Sequence, residues 1–288
     1  MGQDLSEWIG RSETRTDLIA SWPAAALHAA LDLPGEAPAE GDTLPPFWRW
    51  LYFNEARRRS DLGRDGHPRK GYGVSPPVDL PRRMWAGGRL AFYRPLRIGT
   101  EATRVSTVAS IARKTGRSGP LCFVTLRHET FDAEGLVETE EQDIVYRNDP
   151  SPDDAAPSPP VARDTGVWHR GWTADPTLLF RYSALTFNGH RIHYDIDYAR
   201  EVEGYRGLVV HGPLLATLML ELLREQGPDR PVKHFAFRAA SPVLHTEPFE
   251  ACGEPTRHQG QDGADLWIRA PQGAGLGRLA MSGSVTFA

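Results

Sequence analysis

The residues able to do chemistry crowd between positions 187 and 213. The run Phe187-Asn188-Gly189-His190-Arg191-Ile192-His193-Tyr194-Asp195 sets two of the ten histidines beside an amide and a carboxylate. A little further on, His211-Gly212-Pro213 opens an apolar stretch. Imidazole titrates near neutrality, so His193 with a polar partner is suited to moving a proton to and from a held water. A metal site built from His190, His193 and Asp195 is the weaker reading, because neither a helical His pair at i,i+4 nor a cysteine partner is present. The plainest alternative is that these groups only satisfy loop hydrogen bonds. Asp195 orients His193 if the segment is extended, and caps a turn if it is not. We therefore expect acid/base chemistry, with no metal and no cofactor.

The elements that must position these groups follow from periodicity. Leu214 to Leu223 (LLATLMLELL) is apolar almost all round, with only Thr217 and Glu221 polar, so it predicts a helix buried on most faces. Pro213 suits its first turn and Gly227-Pro228 ends it, giving a helix from about Pro213 to Glu225. Backbone N–H groups at such a helix start are unpaired donors. Strand-like runs follow at Lys233–Ala239, Phe249–Thr256, Leu266–Ala270 and Gly277–Phe287. Leu178 to Phe187 also reads as a strand.

The first half is expected to open with helices at Thr16–Leu31 and Phe47–Arg58. It then changes to strands at Leu90–Phe92, Arg104–Ile111, Leu121–Thr130 and Leu136–Tyr146, separated by turn signals. Asn148 to Pro160 holds five prolines and reads as an extended linker. The expected organisation is residues 1–147, a linker at 148–165, and residues 166–288. Each half predicts a helix wrapped by an antiparallel sheet, an α+β fold.

Composition narrows the function classes. The chain has 288 residues and a formal charge of -4, so it lacks the basic footprint of a nucleic-acid binder. No apolar run approaches the ~18 residues of a membrane span, and no secretory signal is visible at the start. The expected setting is the cytoplasm, with no membrane partner. Cys122 and Cys252 read as buried free thiols. Thirty of the 33 basic residues are Arg. Most of that bias is compositional, but some of these forks suit phosphate or carboxylate.

The segment Phe187 to His193, with Asp195, Tyr198-Ala199, Gly204 and His211-Gly212, resembles the (R)-specific enoyl-CoA hydratase motif of MaoC-like proteins. That motif reads Gly-Asp-x-Asn-Pro-Ile-His, followed by an Ala, a Gly and a His-Gly. In the family an Asp and a His five positions apart hold the catalytic water. The His corresponds to His193 and the Asp position to Asn188, while His190 and Arg191 stand at the Asn and Pro positions. Asn188 departs from the pattern, since an amide cannot take a proton but can orient water or a ring.

The variant Thr-Phe-Asn-Gly-His-Arg-Ile-His-Tyr-Asp resembles a narrower branch of 3-hydroxyacyl-thioester dehydratases and mesaconyl-C4-CoA and itaconyl-CoA hydratases. Pro81 to Gly88 and Lys114 to Gly119 also resemble that branch. The resemblance implies a double hot-dog fold with one active site, in the second half, and a first half that shapes the acyl pocket. It implies a short acyl-CoA substrate, straight-chain or dicarboxylic, with His193, Asn188, His211, Gly212 and Asp195 as the catalytic group. Gly212 is then the oxyanion donor. Arg82, Arg83, Trp85, Arg117, Arg191, His190 and Tyr194 are candidates to line the pocket or meet CoA phosphates. A monomer is allowed and a homodimer is the expected partner state. A hot-dog thioesterase and a non-catalytic acyl-thioester binder remain as rivals.

Overall fold

The computed structural model describes residues 4–116, 119–149, 158–164, 166–272 and 275–288. Ten antiparallel strands form one sheet: β1 (Ser12–Leu18), β2 (Arg82–Phe92), β3 (Glu101–Gly116), β4 (Gly119–Asp132), β5 (Gly135–Arg147), β6 (Trp168–Trp172), β7 (Val232–Ala239), β8 (Phe249–His258), β9 (Gln261–Gln272) and β10 (Gly275–Phe287). Their order is β1-β3-β4-β5-β2-β7-β10-β9-β8-β6. Read outward from the β2–β7 junction, the two halves have the same connectivity, so the chain is a structural repeat. Between the first and second strands of each half runs the helical segment: α1 (Ser21–Ala30) in the first, and α2 (Pro176–Leu185), α3 (Ile196–Glu201) and α4 (Gly212–Gln226) in the second.

Helix α4 is buried from Pro213 to Leu223, as its all-round apolar surface requires. Its two polar members are absorbed locally. Thr217 Oγ1 donates to the Pro213 carbonyl at 2.9 Å, and Glu221 accepts the Trp48 indole N–H at 2.9 Å. The β2–β7 junction is close because it is glycine-lined. A Cβ at Gly87 would stand 2.4 Å from the Phe237 carbonyl oxygen. A bulge between Trp85 and Gly87 re-aims Trp85 at this seam.

Three expected elements differ. Thr16–Leu31 is not one helix: Ser12–Leu18 alternates in exposure and pairs with β3, and the helix starts only at Ser21. Phe47–Arg58 holds only a single 3-10 turn, Trp48–Leu51. Phe47 and Phe53 flank it in the left-handed region, at φ 72° and 61°, and both are buried, so packing outweighs local strain. Leu178–Phe187 is helical as far as Leu185, because Asp175 caps the Leu178 N–H at 2.8 Å and Pro176 opens the first turn. Of the linker, residues 150–157 lie outside the described residues. Among the described residues no helix is long and apolar enough to cross a membrane.

Candidate active site

The segment from α2 to α4 folds into a tight loop that concentrates imidazoles. Phe187 takes φ 48° and breaks away from α2. Asn188 Oδ1 then accepts the His190 N–H at 3.0 Å, a side-chain-closed turn. A single 3-10 turn, Arg191–His193, follows, and α3 begins under the cap of Asp195. His190 and His193 are both buried, with ring centroids 5.5 Å apart and planes at 88°.

His193 has a defined tautomer. Its Nδ1 lies 2.7 Å from the Val209 carbonyl oxygen, which can only accept, so Nδ1 carries the proton and Nε2 keeps its lone pair. Burial pushes its pKa down to about 4, partly offset by this hydrogen bond. The ring stacks on His211 with centroids 3.6 Å apart and 20° between planes. His211 is fully buried, and its Nε2 meets Ser183 Oγ of α2 at 2.7 Å. Burial holds its pKa well below the ordinary imidazole range, with further depression from His193 and other nearby rings.

His211 is the N-cap of α4, so its stack places His193 beside the start of that helix. The first helical bond there is Leu215 N–H to the His211 carbonyl, which leaves the Gly212 N–H as a first-turn donor without an intrahelical partner. Trp85 from β2 lies directly over Gly212: a Cβ there would be 2.5 Å from Trp85 Cε3. Behind Trp85 stand Phe237 at 4.5 Å and Trp50 at 5.7 Å between centroids. The helix start therefore faces an aromatic wall.

The other expected residues divide. Asp195 does not orient His193. Its Oδ1 accepts the Tyr198 N–H at 3.0 Å and its Oδ2 accepts from Arg191 at 2.7 Å, so it is a helix cap and an ion-pair partner. Asn188 closes its own turn, as described. The exposed Tyr194 donates to the Gly189 carbonyl at 3.1 Å and clasps the loop.

The arginines are not free forks. Arg82 is buried against Glu203, with Nε 2.6 Å from Oε2. Arg83 Nε lies 2.8 Å from Asp65 and its Nη2 donates to the Pro68 carbonyl at 3.0 Å. Arg191 is held by Asp195. Two of these pairs, Arg82–Glu203 and Arg83–Asp65, are well buried, so their charge is matched within the chain. Arg117 lies outside the described residues. Among the described residues no group of three His, Cys, Asp or Glu is placed to hold a metal ion.

Two contributors from the first half escaped sequence reasoning. His67 packs on His190 with centroids 4.6 Å apart. The adjacent Asp65 carbonyl accepts the Arg191 N–H at 2.9 Å. The contact is close because Gly66, at φ +86°, lies against Gly189: a Cβ there would be 2.0 Å from the Gly189 carbonyl oxygen. The one available signal was the Asp65-Gly66 turn pair ahead of His67.

Comparison with known proteins fits this geometry. Solved structures with the same architecture include a MaoC-like dehydratase from Phytophthora capsici (15% identical, TM-score 0.68, covering 99% of each chain). Another is a Mycobacterium tuberculosis protein described as a double hot-dog (15% identical, TM-score 0.62, covering 97% of this chain and 96% of that one). The fold is thus a double hot-dog. The chain belongs to the hydroxyacyl-thioester dehydratase type 2 family, which it matches over residues 47–245. It is 46% identical over 274 residues to the mesaconyl-C(4)-CoA hydratase of Chloroflexus aurantiacus, covering 94% of this chain and 95% of that protein. It is 29% identical to a mitochondrial hydroxyacyl-thioester dehydratase type 2 of Schizosaccharomyces pombe, covering 88% of this chain and 91% of the other.

Proposed function

We propose that this chain is a hydro-lyase that adds water to a 2-enoyl-CoA and, in reverse, dehydrates the 3-hydroxyacyl-CoA, with R stereochemistry at the hydroxyl carbon. The observation that carries the reading is the neutral, tautomer-fixed His193 stacked beside the start of α4. In the forward direction His193 Nε2 takes one proton from water as the oxygen bonds to the β-carbon. The alkene electron pair moves to the α-carbon and on to the thioester oxygen. That oxyanion is received by the Gly212 N–H, at the positive end of α4. Collapse of the enolate takes the proton back from His193 at the α-carbon, so water is added and the enzyme is unchanged.

A short acyl group suits the wall formed by Trp85, Phe237 and Trp50 at the helix start. The identity to the Chloroflexus hydratase makes mesaconyl-C4-CoA the first dicarboxylic substrate to try. A cytoplasmic setting and a homodimer belong to the same proposal. The test is His193→Ala, assayed on crotonyl-CoA and mesaconyl-C4-CoA by mass spectrometry for the gain or loss of one water. We expect a loss of about 10²–10⁴ in kcat. Retention of most activity would sink the mechanism, and release of free CoA thiol would identify a thioesterase instead.

A further inference from the structure

Hydration needs its water held in one orientation, and His193 alone supplies a single contact. The partner expected at the Asp position is Asn188, but its Oδ1 is engaged by the His190 N–H. Two imidazoles face His193: His211 stacks flat on it with Nε2 tied to Ser183, and His190 stands across its edge. His190 is buried, its ring stands at right angles to His193 with centroids 5.5 Å apart, and its other neighbour is the His67 ring at 4.6 Å.

No hydrogen bond joins its ring nitrogens to another described residue. Glu203 Oε1 is 4.0 Å from Nε2. A buried imidazole left in that state calls for a polar occupant. With centroids 5.5 Å apart and planes at right angles, the two rings can be reached by one water lying at their edge.

The charges around it select a neutral occupant. Arg82 is matched by Glu203 and Arg83 by Asp65, so neither presents a spare cation to this point. An anionic substrate group would meet Glu203. A water, or the hydroxyl it becomes, would not.

We propose that His190 is the second catalytic residue and holds the reacting water jointly with His193, in the place the Asp takes in the wider family. The assignment rests on the hydratase reading above. His193 removes one proton of the water. His190 accepts a hydrogen bond from the other, which stays on the product hydroxyl, so His190 undergoes no net change. His67 backs the ring as a positioning residue.

The experiment compares wild type with His190→Phe, which keeps a ring against His67 but removes both nitrogens, and with His190→Ala. Steady-state rates on crotonyl-CoA and mesaconyl-C4-CoA are read together with thermal melting. We expect His190→Phe to melt close to wild type and to lose about 10²-fold or more in kcat, with KM little changed. Added imidazole should restore part of the rate of His190→Ala. A kcat within threefold of wild type for either folded variant would overturn the assignment while leaving the hydratase reading intact. If both variants fail to fold, restoration of folding and rate by His190→Gln, whose amide can still accept from water, supports it. A folded His190→Gln with no activity overturns it. An inactive wild-type chain overturns the hydratase reading, and this assignment with it.

Discussion

Acid offers the most direct test of the buried site. Folding withdraws His193 from the water that would solvate an imidazolium, and its pKa falls from 6.5 to about 4. At pH 5.5 such a group is still ~97% neutral, whereas an ordinary imidazole is about 9% neutral. A rate that depends on neutral His193 should therefore be almost flat from pH 8 to 5.5. A solvent-exposed base would lose about tenfold over the same range. The same shift has a stability consequence. His193 contributes its full share above pH 6.5, and loses it as the pH falls from there through about 4, because the unfolded chain takes up the proton first. The shift of roughly 2.5 units is worth about 3 kcal/mol. Other imidazoles act in the same direction: His128 is pushed down to about 3 by burial and by Arg104 and Arg49, and the half-buried His67 and the buried His190 and His211 are lowered by desolvation first and then by neighbouring charges and rings. Acid unfolding is thus shared, and the rate must be followed with circular dichroism on the same samples. The assay is the initial rate of loss of enoyl-thioester absorbance between pH 8 and 4. An acid limb with an apparent pKa between 6 and 7, while the chain is still folded, would refute the reasoning.

Arg82→Met leaves Glu203 buried without its cation, which should cost about 3–5 kcal/mol in denaturant unfolding with KM nearly unchanged below the melting point; a raised KM with intact stability would return Arg82 to the substrate. Gly212→Ala drives a methyl to 2.5 Å from Trp85, so kcat should fall at least tenfold and stability by about 1–3 kcal/mol, with Trp85→Ala restoring stability in the double variant; wild-type kinetics in Gly212→Ala would exclude the close approach.

What was legible in the sequence was what is local. Helix α4 could be read because its eleven consecutive buried residues, Pro213 to Leu223, leave no alternative to burial. The later strands could be read because alternation and turns lie within each segment. Leu178 to Phe187 has a strand-like composition, but the Asp175-Pro176 start just before it makes the segment a helix. Phe47 to Arg58 misled because no local rule foresees two buried phenylalanines held at positive φ. In the site, His193, His211 and Gly212 were marked by residue type, by the helix start and by the resemblance to the MaoC-like motif. Arg82, Arg83 and Arg191 bind this chain's own carboxylates, a pairing between distant segments that composition does not show.

The contacts that the sequence could not reveal have one property in common. His67 on His190, Asp65 on Arg191 and Arg82 on Glu203 each join the first half to the loop segment of the second. Trp85 over Gly212 does the same from the junction strand. The first half carries no counterpart of the Asn188-to-His193 motif, yet it shields, packs and neutralises the surroundings of that motif. The low pKa of His193 arises from desolvation, and Trp85 and the 63–67 loop are among the groups that enclose the site. A substitution in the first half should therefore reach the chemistry through solvation and position. The acid limb of the rate profile, rather than substrate affinity, is where a loosened 63–67 loop would show.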